Sequence, residues 1–249
     1  MFRKFLRREK MAVYRIAELN IKIDPLFHQT ERRLEPYRAD AEFADFEINL
    51  TPDDFDEYIS SLAQACQEDS AESTLILTKI CKTVLSCYDG FFFHSSCLAL
   101  DGEGYVFSAP SGTGKSTHTR LWREYFGSRV TMINDDKPIV RRVNGEFRIF
   151  GTPWMGKSEI GSNTSAPIKA VYLLEQSKEN HIEQVSAGRA LGELLEATLL
   201  PRDRADMVRL LGLFDELFSE IPLFKLSCNM DVSAVRLAYG AANISEGAV

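Results

Sequence analysis

Apolar positions along the chain repeat with two different periods. Between residues 14 and 23 they recur at every second place (Tyr14, Ile16, then Leu19, Ile21, Ile23), which predicts a strand closed by Asp24-Pro25. Phe43, Phe46, Ile48 and Leu50 predict a second strand over residues 42–50. Thr51-Pro52-Asp53-Asp54 then carries the marks of a helix start: an N-cap hydroxyl, a proline in the first turn and acids beside the positive end of the dipole. That helix is expected to reach about Gln67. A second is expected after Ser70, with Leu75, Ile76, Ile80, Val84 and Leu85 on its apolar face. Residues 1–90 therefore predict a small α+β layer packed on a core that fills residues 91–242.

Residues 91–100 form an apolar run with His94 inside it. Residues 92–100 and 105–108 flank Asp101-Gly102-Glu103-Gly104, a hairpin-type turn, and predict adjacent antiparallel strands. A helix over 117–125 follows, then a short strand from Arg129 that ends in Asn134-Asp135-Asp136-Lys137. Residues 140–150 predict a hairpin turning on Asn144-Gly145, with Arg141, Arg142 and Arg148 on a solvated face. The remainder predicts strands over 167–174 and 223–226, helices over 186–199, 207–218 and 232–239, and a frayed tail over 243–249. There is no internal repeat and no low-complexity segment.

Composition narrows the function. A chain of 249 residues, 45% hydrophobic, makes one large domain or a core with a smaller appendage. A formal charge of −7 and a pI near 5.3 argue against a nucleic-acid surface, which needs a positive face. The five cysteines (Cys66, Cys81, Cys87, Cys97, Cys228) show no Cys-x-x-Cys spacing. They are expected to be buried free thiols of a reducing, cytoplasmic setting. No run approaches the ~18 apolar residues of a membrane span, so stable insertion is not expected. Residues 1–10 alternate Arg3, Lys4, Arg7, Arg8 and Lys10 with Phe2, Phe5 and Leu6. Without an apolar h-region they are no signal peptide; they read as a solvated terminus, or else as a weak membrane or partner contact.

The candidate chemistry starts at Ser108-Ala109-Pro110-Ser111-Gly112-Thr113-Gly114-Lys115-Ser116-Thr117. A strand, a loop of small residues, Gly-Lys-Ser and a helix form the arrangement that holds nucleotide phosphates. Residues Ser111, Gly112, Thr113, Gly114, Lys115, Ser116 and Thr117 would line the phosphates. Lys115 would supply charge to the outer ones, and the Ser116 hydroxyl suits Mg²⁺. In an acidic chain a polyanionic nucleotide must be held by such local features. Ala109 stands where the usual motif has glycine, which is tolerable if φ stays negative there. The competing reading is an ordinary turn before a helix.

Asp135 and Asp136 supply the second requirement of phosphoryl transfer, carboxylates at a strand end. One is expected to face Mg²⁺ and the other the acceptor hydroxyl; a surface Asp-Asp turn is the alternative. His94, one strand before the loop, is either a satisfied core histidine or a site residue. Residues 151–159 form a loop of small residues with an exposed-looking Trp154 and Lys157. Lys157 either clamps a phosphate or acidic substrate or is an ordinary surface lysine.

Taken together, His94, the hairpin, Ser111-Gly112-Thr113-Gly114-Lys115-Ser116-Thr117 and Ile133-Asn134-Asp135-Asp136 resemble the HPr kinase/phosphorylase family, whose core is shared with phosphoenolpyruvate carboxykinases. Ser-Gly-Thr-Gly-Lys is typical of the carboxykinase version. His94-Ser95-Ser96-Cys97 is similar to the histidine stretch that helps hold a metal there. The resemblance covers about residues 91–240 and implies a mixed α/β fold: a P-loop core with mixed sheets and flanking helices. It further implies ATP- and Mg²⁺-dependent transfer to a serine hydroxyl. Asp135 would match the metal-associated acid, Asp136 the acid close to the acceptor or metal, and His94 would support that acid or the metal. Three departures set the chain apart: Ala109, the missing N-terminal domain of full HPr kinases, and a poor match to their glycine-rich signature after the acid pair. A carboxykinase would be several hundred residues long, so decarboxylation is not expected.

The expected function is thus phosphoryl transfer to a hydroxyl of a protein, peptide or small metabolite. The alternatives are a nucleotide-responsive binding module and the reverse phosphorylase or phosphatase reaction. The acceptor, the donor (ATP, GTP or pyrophosphate) and any homo-oligomer are left open by the residues.

Overall fold

The computed structural model describes residues 11–62, 64 and 66–244; the basic stretch 1–10 and residues 245–249 lie outside them. The chain divides into two compact units, Met1–Thr83 and Val84–Val249.

In the first unit the alternation over 14–23 resolves into two strands, β1 (Ala12–Ile16) and β2 (Leu19–Ile23), paired antiparallel with Ile16 opposite Leu19. The two-residue turn puts Ala17 and Glu18 at φ 51° and 61°. That is the backbone of a hairpin turn usually made by Asn-Gly. Neither residue type advertises the turn; cross-strand partners share a face, so Ile16 and Leu19 lie together and the apolar alternation slips by one residue between them. After α1 (His28–Leu34), β3 (Arg38–Ala39) and the short β4 (Phe46–Ile48) complete a sheet of order β3-β1-β2-β4. Helix α2 (Pro52–Ser60) opens on a capping box between Thr51 and Asp54 and stops well before Gln67. Helix α3 (Glu68–Cys87) follows.

The second unit is built on one large mixed sheet. Its strands are β5 (Gly90–Phe92), β6 (Ser95–Leu100), β7 (Glu103–Ser108), β8 (Val130–Asn134), β9 (Ile139–Val143), β10 (Glu146–Phe150), β11 (Ser165–Gln176), β12 (His181–Gln184) and β13 (Leu223–Cys228). The order is β5-β9-β10-β11-β7-β6-β8, with β13 between β11 and β12. The helices are α4 (Lys115–Phe126), α5 (Leu191–Glu196), α6 (Arg204–Glu220) and α7 (Ser233–Ile244).

Successive residues of the central strands enter different cores, which explains their continuous apolar runs. Cys97, Val106, Val171 and Leu173 pack with Leu194 of α5 and with Leu210, Leu213, Phe214 and Leu217 of α6. Leu98, Phe107, Tyr172 and Leu174 pack on the other face with Leu121 and Trp122 of α4 and with Val235 and Ala238 of α7. Trp122, fully buried, donates its indole N–H to His118 Nε2 at 3.0 Å. Burial holds the His118 imidazole neutral, with its pKa pulled down to about 4.

Several expectations are corrected here. The helix expected over 186–199 is the single turn-and-a-half of α5, and the strand β12 was not foreseen. Helix α7 continues through Asn243 to Ile244, so the first residues of the expected tail are helical. Arg141 does not lie on a solvated face: it is 8% exposed and its Nε donates to the Tyr88 carbonyl. Only Cys81 and Cys97 are buried; Cys87 is exposed, and all five thiols are free. Among the described residues no helix is long and apolar enough to cross a membrane.

Candidate functional site

Strand directions gather the chemistry at one edge. β6 runs antiparallel to both β7 and β8, so β7 and β8 point the same way. β11 is parallel to β7 and to β13, with Leu173 level with Ser108. The carboxyl ends of β7, β8, β11 and β13 and the start of β6 therefore share an edge, the place where open α/β sheets present ligand sites.

The loop after β7 turns through Gly112 (φ 82°) and Gly114 (φ 115°), whereas Ala109 keeps a negative φ. Gly114 is the N-cap of α4; no side chain caps the helix and its first turn holds no acid. Its first-turn N–H groups are left for an anion. Lys115 is 8% exposed, and its ammonium donates to the Ala109 carbonyl at 2.7 Å and the Pro110 carbonyl at 3.5 Å. Burial pulls its pKa down, and the fields of Asp136 and Asp135 oppose that pull. The lysine thus lies within electrostatic reach of both acids.

Those acids sit on a turn that Asn134 builds. The Asn134 side-chain oxygen accepts from the backbone N–H groups of Asp136 and Lys137, each at 2.8 Å, and its amide donates to the Thr152 carbonyl at 3.0 Å. The two carboxylates then diverge. Asp135, 6% exposed, accepts from Ser96 Oγ at 2.7 Å and Ser158 Oγ at 2.5 Å. Ser96 Oγ also meets Thr119 Oγ1 at 3.0 Å, and that hydroxyl lies 3.3 Å from the carbonyls of Lys115 and Ser116. A chain of hydroxyls therefore ties Asp135 to the first turn of α4. Asp136 instead pairs with His94 Nε2 at 3.0 Å and with the Lys137 ammonium. Burial pushes the Asp136 carboxyl up, but hydrogen bonds from His94 and Lys137 outweigh it and hold the pKa at about 2.

His94 is accordingly no apolar-core histidine. It lies outside β6, its backbone N–H donates to the Ala197 carbonyl at 2.6 Å and its own carbonyl accepts from Ser108 Oγ at 2.9 Å. Trp154, expected at the surface, is 4% exposed and belongs to the interior. Lys157 is exposed. Ser96, Thr119 and Ser158 were not foreseen as site residues. The signal available was Ser95-Ser96 inside a buried strand, where each hydroxyl must find a partner.

Beside the loop lies a cavity of about 480 Å³ lined by His94, Ser108, Ala109 and Pro110, by Leu173 and Leu174 of β11, and by residues of α5.

No curated protein matches the chain in sequence. A solved structure, the Hpr(Ser) kinase/phosphatase from Coxiella burnetii, is similar at 11% identity and a TM-score of 0.34, over 63% of this chain and 99% of that one. A likeness that weak supports no argument about activity. The family model described as "SynChlorMet cassette protein ScmC" matches residues 64–231, about two thirds of the chain and nearly all of the site described above, and the chain belongs to that family.

Proposed function

We propose that this chain is an HPr-kinase-like phosphotransferase with a P-loop core, moving the γ-phosphoryl group of ATP to a hydroxyl. The observation that carries the reading is the convergence of an uncapped helix N-terminus, a buried lysine and two differently held carboxylates at one sheet edge. The loop N–H groups and Lys115 stabilise charge on the phosphates, which is most of what a loose phosphoryl-transfer transition state asks of a protein. Lys115 must leave its own loop carbonyls to do so.

The donor set fits Mg²⁺. Asp135 and the Ser116 hydroxyl are hard oxygen ligands, and Mg²⁺ asks for one or two carboxylates with water and phosphate oxygens completing its shell. Among the described residues no group of three His, Cys, Asp or Glu could hold a metal alone, which suits an ion held jointly with phosphate. When bound, it would neutralise phosphate charge. Ser96 and Ser158 keep the Asp135 carboxylate in place.

Asp136 takes the acceptor side. The acceptor oxygen forms a bond to the γ-phosphorus, the bond from that phosphorus to the β,γ-bridging oxygen breaks, and its electron pair leaves on ADP. The hydroxyl proton passes to the Asp136 carboxylate. Held near pKa 2, that carboxylate is a weak base, so its first contribution is to orient the hydroxyl, with His94 Nε2 fixing its other side.

The test is γ-phosphate transfer to a panel of serine-containing acceptors by the wild type and Lys115→Ala. Wild type is expected to label at least one acceptor, and the variant to do so slower by about 10² or more. Equal transfer by both proteins would sink the assignment. The engagement of both Asp136 carboxylate oxygens, by His94 and by Lys137, favours a second reading, a nucleotide-responsive binding module. Calorimetry that finds tight ATP binding with no product from any acceptor would select it.

A further inference from the structure

The cavity beside the loop has a charge pattern that the phosphate chemistry does not use. Its floor is apolar: Leu173 and Leu174 are each 5% exposed and Ala197 6%. Its rim carries three carboxylates, Glu175 at the end of β11 and Glu193 and Glu196 three residues apart on α5, against one ammonium, Lys225. Lys225 Nζ lies 3.5 Å from Glu175 Oε2 and 3.4 Å from Glu193 Oε1, so that cation is shared. Glu196, exposed on the last turn of α5, is left without one among the described residues.

The cavity is also fastened to the reactive end of the site. Ala197, next after Glu196, takes the His94 backbone N–H at 2.6 Å, and His94 holds Asp136 at 3.0 Å. A ligand lying on the apolar floor thus meets both the rim carboxylates and His94, the residue that holds Asp136.

We propose that this cavity receives the acceptor, and that the acceptor carries a cationic group, an ammonium or guanidinium, beside the hydroxyl to be phosphorylated. This rests on the phosphotransferase reading. The cation meets Glu196 at the exposed rim while its apolar part lies on the floor. An anionic acceptor meets repulsion from the rim and from the triphosphate together. The cation can belong to a basic side chain of a peptide or to a small amino alcohol.

Binding without nucleotide tests this apart from transfer. One probe pair is a labelled serine peptide flanked by arginines and its glutamate-flanked counterpart, read by fluorescence anisotropy. The other is 2-aminoethanol against ethylene glycol, read by calorimetry. At least one cationic probe is expected to bind tenfold or more tighter than its counterpart. Glu196→Lys is expected to remove most of that preference, and salt to weaken it. The pair that responds names the source, peptide or small molecule. No preference in either pair, or a preference untouched by Glu196→Lys, overturns the proposal. A protein that prefers the cation yet transfers no phosphate sinks the transfer reading; one that phosphorylates basic and acidic acceptors alike sinks this one.

Discussion

At the scale of single residues, the Asp136 carboxylate offers the clearest reading of how the site is held. Its pKa is lowered from an ordinary 3.8 to about 2, with burial outweighed by His94 and Lys137. A carboxylate depressed in the folded state stabilises the fold fully above its unfolded pKa and loses that contribution as pH falls through the folded value. The contribution here is about 2 kcal/mol, present at pH 6 and lost between pH ~4 and ~2. Asp136→Asn is therefore expected to be less stable than wild type at pH 6 by about that amount, with the gap closing towards pH 2. Urea titrations of both proteins at pH 6, 4 and 2.5 check it. A gap that stays constant would mean the pairing contributes nothing. His118 also sensitises the protein to acid, since it resists protonation down to about 4 while the unfolded chain protonates near 6.5. That effect is common to both proteins and falls at higher pH, so it does not blur the comparison. Lys115, Asp135 and Asp136 were legible as candidates from residue type and spacing, whereas the sequence leaves His94 open between a core and a site residue. How the work is divided was not legible. That Asp135 is held by serines and Asp136 by His94 and Lys137 depends on Asn134 shaping the turn, and an adjacent pair of acids carries no mark of which way each points.

At the scale of elements, the segment after β10 shows how packing supports the acids. Gly151 approaches the backbone so closely that a Cβ there would lie 1.9 Å from the Ser162 carbonyl oxygen and 2.7 Å from that of Ile133. The segment returns so that Asn134 bridges Gly161 and Ser158 reaches Asp135 at 2.5 Å. Gly151→Ala must push this segment off the end of β8, at a cost of about 2 to 3 kcal/mol. The expected result is a matching loss of stability in urea, and resonance shifts at Ser158 and Asp135 by NMR. Unchanged stability would show that the approach is easily relaxed. None of this was visible in the sequence, where Gly151-Thr152-Pro153-Trp154 reads as an exposed loop. Pairing by local turns was legible, β6–β7 from the Asp101-Gly102 turn and β9–β10 from Asn144-Gly145, but the strand expected over 92–100 breaks before Ser95 and leaves Gly90–Phe92 as β5 on β9. The β1–β2 hairpin was not, because Ala17 and Glu18 adopt positive φ without the residue types that favour it.

At the scale of the whole molecule, the division into Met1–Thr83 and Val84–Val249 places every candidate site residue in the second unit, and both tryptophans, Trp122 and Trp154, lie there too. Indole fluorescence is therefore a selective report on the unit that holds the site. A ligand that binds only the folded state stabilises it by RT ln(1 + [L]/Kd), about 2.7 kcal/mol at a hundredfold excess over Kd. For a unit of this size that corresponds to a rise of about 5 to 10 °C in Tm. On the phosphotransferase reading, ATP with Mg²⁺ is expected to raise the transition seen by tryptophan fluorescence by this amount. Lys115→Ala is expected to lose most of the rise while keeping the unliganded transition within a few degrees, because among the described residues Lys115 donates only to its own loop carbonyls. GTP and pyrophosphate run in parallel show whether the base is read or only the phosphates. A transition indifferent to all three, in a wild type whose fluorescence still reports cooperative unfolding, would remove the donor and with it the assignment of the 109–114 loop to phosphate.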